Sequence, residues 1–148
     1  MKIIGIAAVT IDGYIARHGL ETVNWSRDLP LFKKQTLNHT VIMGSNTSKS
    51  LVVELDKRRS IVVHREDSPK EIIERVTDEK CFVIGGGKTF SKFADHLTHL
   101  YITPHPLIFG QGVKLFESLG KEIKLKFEKQ TPILPDEGIF QLQYSIKH

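Results

Sequence analysis

The chain carries one cysteine in 148 residues, which excludes a disulfide framework and a cysteine-built zinc site. That thiol, Cys81, lies at the mouth of an apolar stretch, the setting of a half-buried structural cysteine rather than a nucleophile. With no metal site in view, the reducing cytoplasm is the expected compartment. Aromatic residues are also few, at 8%, with a single tryptophan. They do not interleave with the lysines, so the platforms on which bases stack are missing, and no nucleic-acid partner is expected despite a formal charge of +4 and a pI near 9.2. A mild positive field of this kind suits an anionic small molecule. No apolar run approaches the roughly 18 residues of a membrane span, and the alternating opening Met1–Ala8 predicts a first strand rather than a leader. Repeats, low-complexity tracts and linkers are lacking, and a composition of 40% hydrophobic and 26% charged residues fits one domain over 1–148.

What is present is an alternation of strands and helices, the pattern of an α/β sheet. Lys2–Thr10 is nearly continuous in apolar residues, as a strand covered on both faces should be, and is expected at the centre. Arg17–Asn24 has no periodicity and predicts a long mobile loop leading to Trp25. The segment from Asp28 to Asn38 spaces Leu29, Phe32, Thr36 and Leu37 as a helix does, with Pro30 tolerable only in its first turn. Short strands are expected at Thr40–Met43, ended by Gly44, and at Ser60–Val63. Ser68-Pro69-Lys70-Glu71 combines a capping serine, a proline at the first helical position and a glutamate three residues on, a strong helix start. A strand at Cys81–Ile84, a helix at Thr89–His96 and a strand at Leu100–Thr103 follow. Two alternating segments, Ile123–Lys129 and Ile139–Ile146, should pair antiparallel across the turn-rich Pro132–Gly138.

The chemistry concentrates where Phe82-Val83-Ile84 runs into Gly85-Gly86-Gly87 and then Lys88-Thr89. A strand that feeds a helix through glycines alone leaves backbone N–H groups uncovered, which is how many folds hold phosphate; a plain turn is the other reading. Open α/β sheets bind ligands beyond the carboxyl ends of their strands, and several polar residues stand at such places. Asp28 precedes Phe32 by one turn, so carboxylate and ring leave the same side of the helix. It is either an N-cap or a carboxylate in an apolar pocket that grips paired N–H donors of a heterocycle. Arg58 is either a solvated cation or a bidentate clamp on a ligand carboxylate. Arg65 and Lys88 are either exposed cations or a shared pocket for a phosphate monoester.

Taken together these residues resemble the dihydrofolate reductase family over nearly the whole chain. The run from Asp28 through Val41-Ile42-Met43-Gly44 is similar to the family's substrate-binding helix and following strand. Val83-Ile84-Gly85-Gly86-Gly87 resembles its pyrophosphate signature, and Leu100-Tyr101-Ile102-Thr103 its late strand. The resemblance implies a three-layer α/β fold with helices on both faces of a mostly parallel sheet and an antiparallel C-terminal hairpin. It implies an oxidoreductase that reduces 7,8-dihydrofolate to tetrahydrofolate with NADPH, acting as a monomer or homodimer with no membrane partner. Asp28 would bind the pterin and deliver a proton, with Thr103 hydrogen-bonded to it. Ala8, Leu29, Phe32, Leu51 and Leu55 would line the substrate pocket and Arg58 would hold a carboxylate. The backbone at Ala8 and Ile15 would hold the nicotinamide. Gly44, Ser45, Asn46, Thr47, His64 and Arg65 would form one side of the remaining cofactor site, and Ile84, Gly85, Gly86, Gly87, Lys88, Thr89 and Phe90 the other. A cis peptide between Gly85 and Gly86 is also implied.

Three departures from the family pattern stand out. Ser45 occupies the place of the usual arginine for the cofactor 2′-phosphate, a role left to Arg65 and Lys88, and NADPH is still expected over NADH. Trp25 lies three rather than five residues before the acid, which rearranges the loop over the nicotinamide. Finally, Val9–Ala16 and Pro106–Gly112 resemble segments of the riboflavin-pathway pyrimidine reductases, whose substrate is a ribosylaminopyrimidine phosphate. That substrate is the alternative, and a silent nucleotide-binding module is a third reading, against which the pairing of Asp28 with Arg58 argues.

Overall fold

The computed structural model describes residues 1–51 and 55–148. Seven strands form one sheet in the order β4-β3-β5-β1-β6-β9-β8. Their spans are β1 Lys2–Thr10, β3 Thr40–Gly44, β4 Arg59–Val63, β5 Lys80–Val83, β6 His99–His105, β8 Lys124–Leu134 and β9 Ile139–Lys147. The five from β4 to β6 run parallel, with β1 flanked by β5 and β6. Strand β9 then pairs antiparallel with both β6 and β8. The apolar run at Lys2–Thr10 is thus central, as its composition requires. A second sheet of two short strands, β2 Tyr14–Ala16 and β7 Val113–Lys114, has no counterpart in the sequence reading, because two or three residues are too few to show a period.

Period-two alternation divides the strands between two apolar layers. Ile3, Ile42, Cys81 and Val83 face one way, against Ile72, Phe90, Phe93 and Leu97. Those partners belong to or adjoin two helices, α3 Pro69–Glu74 and α4 Gly87–Phe93. Ile4, Ile6, Val41, Met43 and Phe82 face the other way, against Phe32 of helix α1 Leu29–Thr36 and against Leu51 and Leu55. Cys81 is fully rather than half buried, and burial pushes its thiol up to about 11, so it is unreactive at neutral pH. No helix among the described residues is long and apolar enough to cross a membrane.

Several boundaries differ from expectation for local reasons. Helix α1 stops at Thr36 because Leu37 leaves helical geometry at ψ 130° and, with Asn38 at a left-handed φ of 64°, makes a turn closed by the His39 N–H on the Thr36 carbonyl at 3.0 Å. Helix α4 begins at Gly87, inside the glycine run, and ends at Phe93, where the Ala94 N–H tightens onto the Ser91 carbonyl. Strand β8 continues through Pro132 to Leu134, since an edge strand tolerates a missing donor beside a bulge; the reversal is the turn Pro135–Glu137 closed by Gly138. The expected start of α3 holds, with the Ser68 side chain accepting from the Glu71 N–H at 3.4 Å. Helix α1 is moored to β9 by a reciprocal amide pair: Gln35 donates to Gln141 at 2.7 Å and Gln141 donates back at 3.0 Å. The first residues after β3 form a further short helix, α2 Ser45–Ser50.

Candidate active site

Asp28 stands at the N-cap position of α1, where its carbonyl accepts from the Phe32 N–H at 3.0 Å, but its side chain makes no capping bond among the described residues. It is instead only 8% exposed and lies at the wall of an apolar cavity of about 190 Å3. Burial raises the carboxyl pKa above 3.8, against the smaller opposing pull that His105 exerts when it carries a charge and those of the residue's own backbone N–H and the Thr103 hydroxyl. That hydroxyl was expected to hydrogen-bond the acid. It is near enough to lower the pKa, yet outside bonding geometry, and its oxygen is fully buried with no partner among the described residues. A buried hydroxyl in that state is poised for a ligand atom, a bridging water or a small movement of the carboxyl.

Ala8, Ile15, Leu29, Phe32, Leu51 and Ile84 wall the same cavity, together with Thr47, Gly85, Gly86 and Phe90. Leu55 packs instead against the Ile4 layer beneath it. Arg58 is partly exposed and already engaged: it donates to the Thr36 hydroxyl at 2.8 Å, the Lys33 carbonyl at 2.6 Å and the Asp56 carbonyl at 2.9 Å, which ties it to α1.

Beyond Gly86 the cavity adjoins a more polar cleft of about 620 Å3. Gly44, Ser45, Asn46 and Thr47 form one wall and Gly86, Gly87, Lys88 and Thr89 the other, with His64 and Arg65 at the rim. The expected cis peptide joins Gly85 and Gly86. Two glycines are sterically required. A Cβ on Gly44 would lie 2.6 Å from the Thr89 hydroxyl, and one on Gly87 would strike the Lys114 carbonyl. The start of α4 carries no side-chain cap among the described residues, so its first N–H groups face a cleft lined by Arg65, Lys88 and Lys92. Lys92 also donates to the carbonyls of His64 and Arg65, tying α4 to the end of β4. This chemistry of N–H groups, small residues and cations fits a dinucleotide pyrophosphate and a 2′-phosphate.

Residues 17–28 contain no helix or strand, yet side chains pin them. Glu21, a wall of the cavity, accepts from the Arg17 N–H and guanidinium and from the Trp25 indole, which holds its carboxyl below the usual range against the opposing effect of burial. Trp25 stands edge-on to both His105 and Phe109, each 5.3 Å away, and the Arg17 guanidinium lies over Phe109 at 4.5 Å. The Asp12 carboxylate accepts from the N–H groups of Phe109 and Gly110, so the two riboflavin-reductase-like segments are physical partners.

The sequence model described as dihydrofolate reductase matches residues 2–108. The chain belongs to the dihydrofolate reductase family. Its relatives include the Bacillus subtilis dihydrofolate reductase, 33% identical over 88 residues, an alignment covering 51% of this chain and 52% of that one. The chain thus spans about half the length of that relative. The Buchnera aphidicola dihydrofolate reductase is 30% identical over 115 residues, covering 70% of this chain and 71% of its own. In three dimensions the fold matches the Enterococcus faecalis dihydrofolate reductase complexed with NADP(H), with a TM-score of 0.77 at 17% identity, covering 99% and 97% of the two chains. It also matches a putative riboflavin biosynthesis protein from a Shewanella species, with a TM-score of 0.65 at 22% identity over the full length of both.

The dihydrofolate reductase family is one of NADPH-dependent oxidoreductases, and the three-layer α/β fold expected from it is present. Sequence reading missed Glu21 and His105. The first lies in an aperiodic loop, and only its spacing of four from both Arg17 and Trp25 hints at a clamp. The second stands two residues after Thr103, the separation that puts two strand residues on one face.

Proposed function

We propose that the chain reduces 7,8-dihydrofolate to tetrahydrofolate with NADPH, and that Asp28 is the acid that handles the proton. The observation that carries this reading is a buried carboxyl that makes no capping bond among the described residues, set in an apolar cavity beside a glycine-walled cationic cleft. NADPH, when bound, supplies the hydride that adds to the carbon of the substrate C=N bond. The nitrogen must then take a proton, and a carboxyl whose pKa is raised by burial holds one closer to neutral pH than a solvated carboxyl does. As a carboxylate, Asp28 offers two acceptor oxygens to the paired N–H donors of the pterin edge.

Leu29, Phe32 and Leu51 give the ring an apolar slot, and Ala8 and Ile15 border it where the nicotinamide is to be held. Exclusion of water there keeps the hydride donor and acceptor in contact. Among the described residues three of the five N–H donors of Arg58 are taken by Thr36, Lys33 and Asp56, and a ligand carboxylate would draw on the rest. With Ser45 in place of an arginine, Arg65 and Lys88 carry the positive charge for the 2′-phosphate.

The deciding experiment follows NADPH oxidation with dihydrofolate by the wild type, Asp28→Asn and Arg58→Leu. Turnover lost in Asp28→Asn with NADPH affinity kept, and a KM for dihydrofolate raised about tenfold in Arg58→Leu, supports the reading. Losses of turnover and NADPH affinity in equal measure in Asp28→Asn sink the acid assignment. A second reading, reduction of a ribosylaminopyrimidine phosphate, is favoured by the Asp12 contact that joins the two riboflavin-reductase-like segments. It predicts turnover with that substrate and none with dihydrofolate.

A further inference from the structure

His105 ends β6 and is 1% exposed, a buried titratable ring to which the chemistry above gives no part. Its Nδ1 lies 2.8 Å from the Thr103 carbonyl oxygen and its Nε2 accepts from the Arg27 N–H at 2.9 Å. A carbonyl can only accept and a backbone N–H can only donate. One state of the ring satisfies both: neutral imidazole with its proton on Nδ1. The ring is also fixed laterally by the Trp25 indole at 5.3 Å. Its two partners bear on where the carboxyl lies, for Arg27 immediately precedes Asp28, and Thr103 carries the hydroxyl near the carboxyl that has no partner among the described residues.

The geometry points to His105 as a positioning residue: its neutral ring holds the Arg27 N–H against the end of β6 and so sets the Asp28 carboxyl over the Thr103 hydroxyl. This rests on the reading of Asp28 as the acid. Other charged groups face elsewhere or are already engaged. The Arg27 guanidinium turns outward to Glu137 at 3.1 Å, and Glu21, on the same cavity wall, is held by Arg17 and Trp25. The Arg27 N–H is therefore held by a side chain from a distant strand, and misplacing it by even about 1 Å would move the carboxyl out of line.

Three variants separate the two bonds. His105→Phe keeps the ring and removes both, His105→Gln places an amide near the Nε2 position to accept from Arg27, and His105→Asn reaches only toward the Thr103 carbonyl. Single-turnover hydride transfer from NADPH to dihydrofolate is measured across pH, alongside NADPH affinity and thermal unfolding. His105→Phe is expected to slow transfer about 10- to 100-fold and to move the midpoint of the pH profile upward, with NADPH affinity within twofold of the wild type. His105→Gln is expected to transfer hydride about tenfold faster than His105→Asn, a comparison that stands even if His105→Phe fails to fold. Equal rates for Gln and Asn overturn the proposal. So does a His105→Phe protein that unfolds at lower temperature while keeping rate and pH profile. If Asp28→Asn itself retains turnover, the reading of the acid falls and this inference with it; an inactive Asp28→Asn beside a wild-type-like His105→Phe overturns this inference alone.

Discussion

The floor and the roof of the cavity are built by different means. The floor is main chain: the carboxyl ends of β1, β3, β5 and β6 are held in register by parallel ladders, and the glycine run hangs from them through the Gly44 N–H to the Gly85 carbonyl at 2.8 Å. The roof, residues 17–25 braced from outside by the loop at 106–112, is held by side chains: an Arg17–Glu21–Trp25 clamp, two edge-on aromatic contacts and a carboxylate that gathers two loop N–H groups. Ladder bonds survive most substitutions, whereas each roof contact disappears with one residue. The glycine run is thus carried by the sheet, whereas the entrance to the cavity and the segment that bears Asp28 hang on contacts a single mutation can retune.

Substitutions can break that contrast at graded strength. The largest effect belongs to Asp28→Asn, in the segment before α1, with kcat lowered on the order of 10²- to 10⁴-fold. Its stability should move the opposite way. The folded-state pKa of Asp28 is raised, so the neutral carboxyl is the form the fold favours, and stability from this site is present below the unfolded value of 3.8 and declines as pH rises through the folded one. The ligand-free Asn variant should therefore melt higher than the wild type at pH 8, with the gap closing toward pH 4; a lower Tm at pH 8 would refute the burial argument.

Next in size is Gly87→Ala, in the glycine run of the floor, because its methyl would be driven into the Lys114 carbonyl of β7. A loss of about 1–3 kcal/mol in denaturant unfolding is expected from such overpacking, with NADPH affinity at least tenfold weaker. The smallest is Glu21→Gln, which removes the charge opposite a half-exposed arginine. Such a pair is worth at most about 1 kcal/mol, so Tm should barely change while kcat/KM for dihydrofolate shifts two- to fivefold. A Glu21→Gln effect as large as that of Gly87→Ala would mean that the roof is part of the rigid frame.

Much of the floor was legible in the sequence because it is written in local rules. The two-sided apolar run of β1, the serine cap of α3 and the glycine turn each carry their meaning within a few residues. Asp28 was legible only as a choice between cap and ligand, and the lack of a side-chain capping bond among the described residues favours the ligand side. Arg58 was legible as a charge but not as a side chain already engaged on α1 and on the Asp56 carbonyl, since both contacts depend on tertiary packing. The roof was least legible. Asp12 meets Gly110 across 98 positions in sequence and His105 meets Arg27 across 78, distances over which no periodicity operates. Helix α2, SNTSKS, has no apolar face to announce it.

The amide pair between Gln35 and Gln141 has its own consequence for the working range of the protein. Both partners are neutral, and Gln141 is buried, so neither ionic strength nor pH has a grip on the bond. Concentrated salt would loosen the Arg17–Glu21 clamp, and acid would discharge it. The helix bearing the substrate wall would stay docked on β9 through both, and a brine-soaked or acidified molecule would keep the shape of its pocket after it had lost the latch above it.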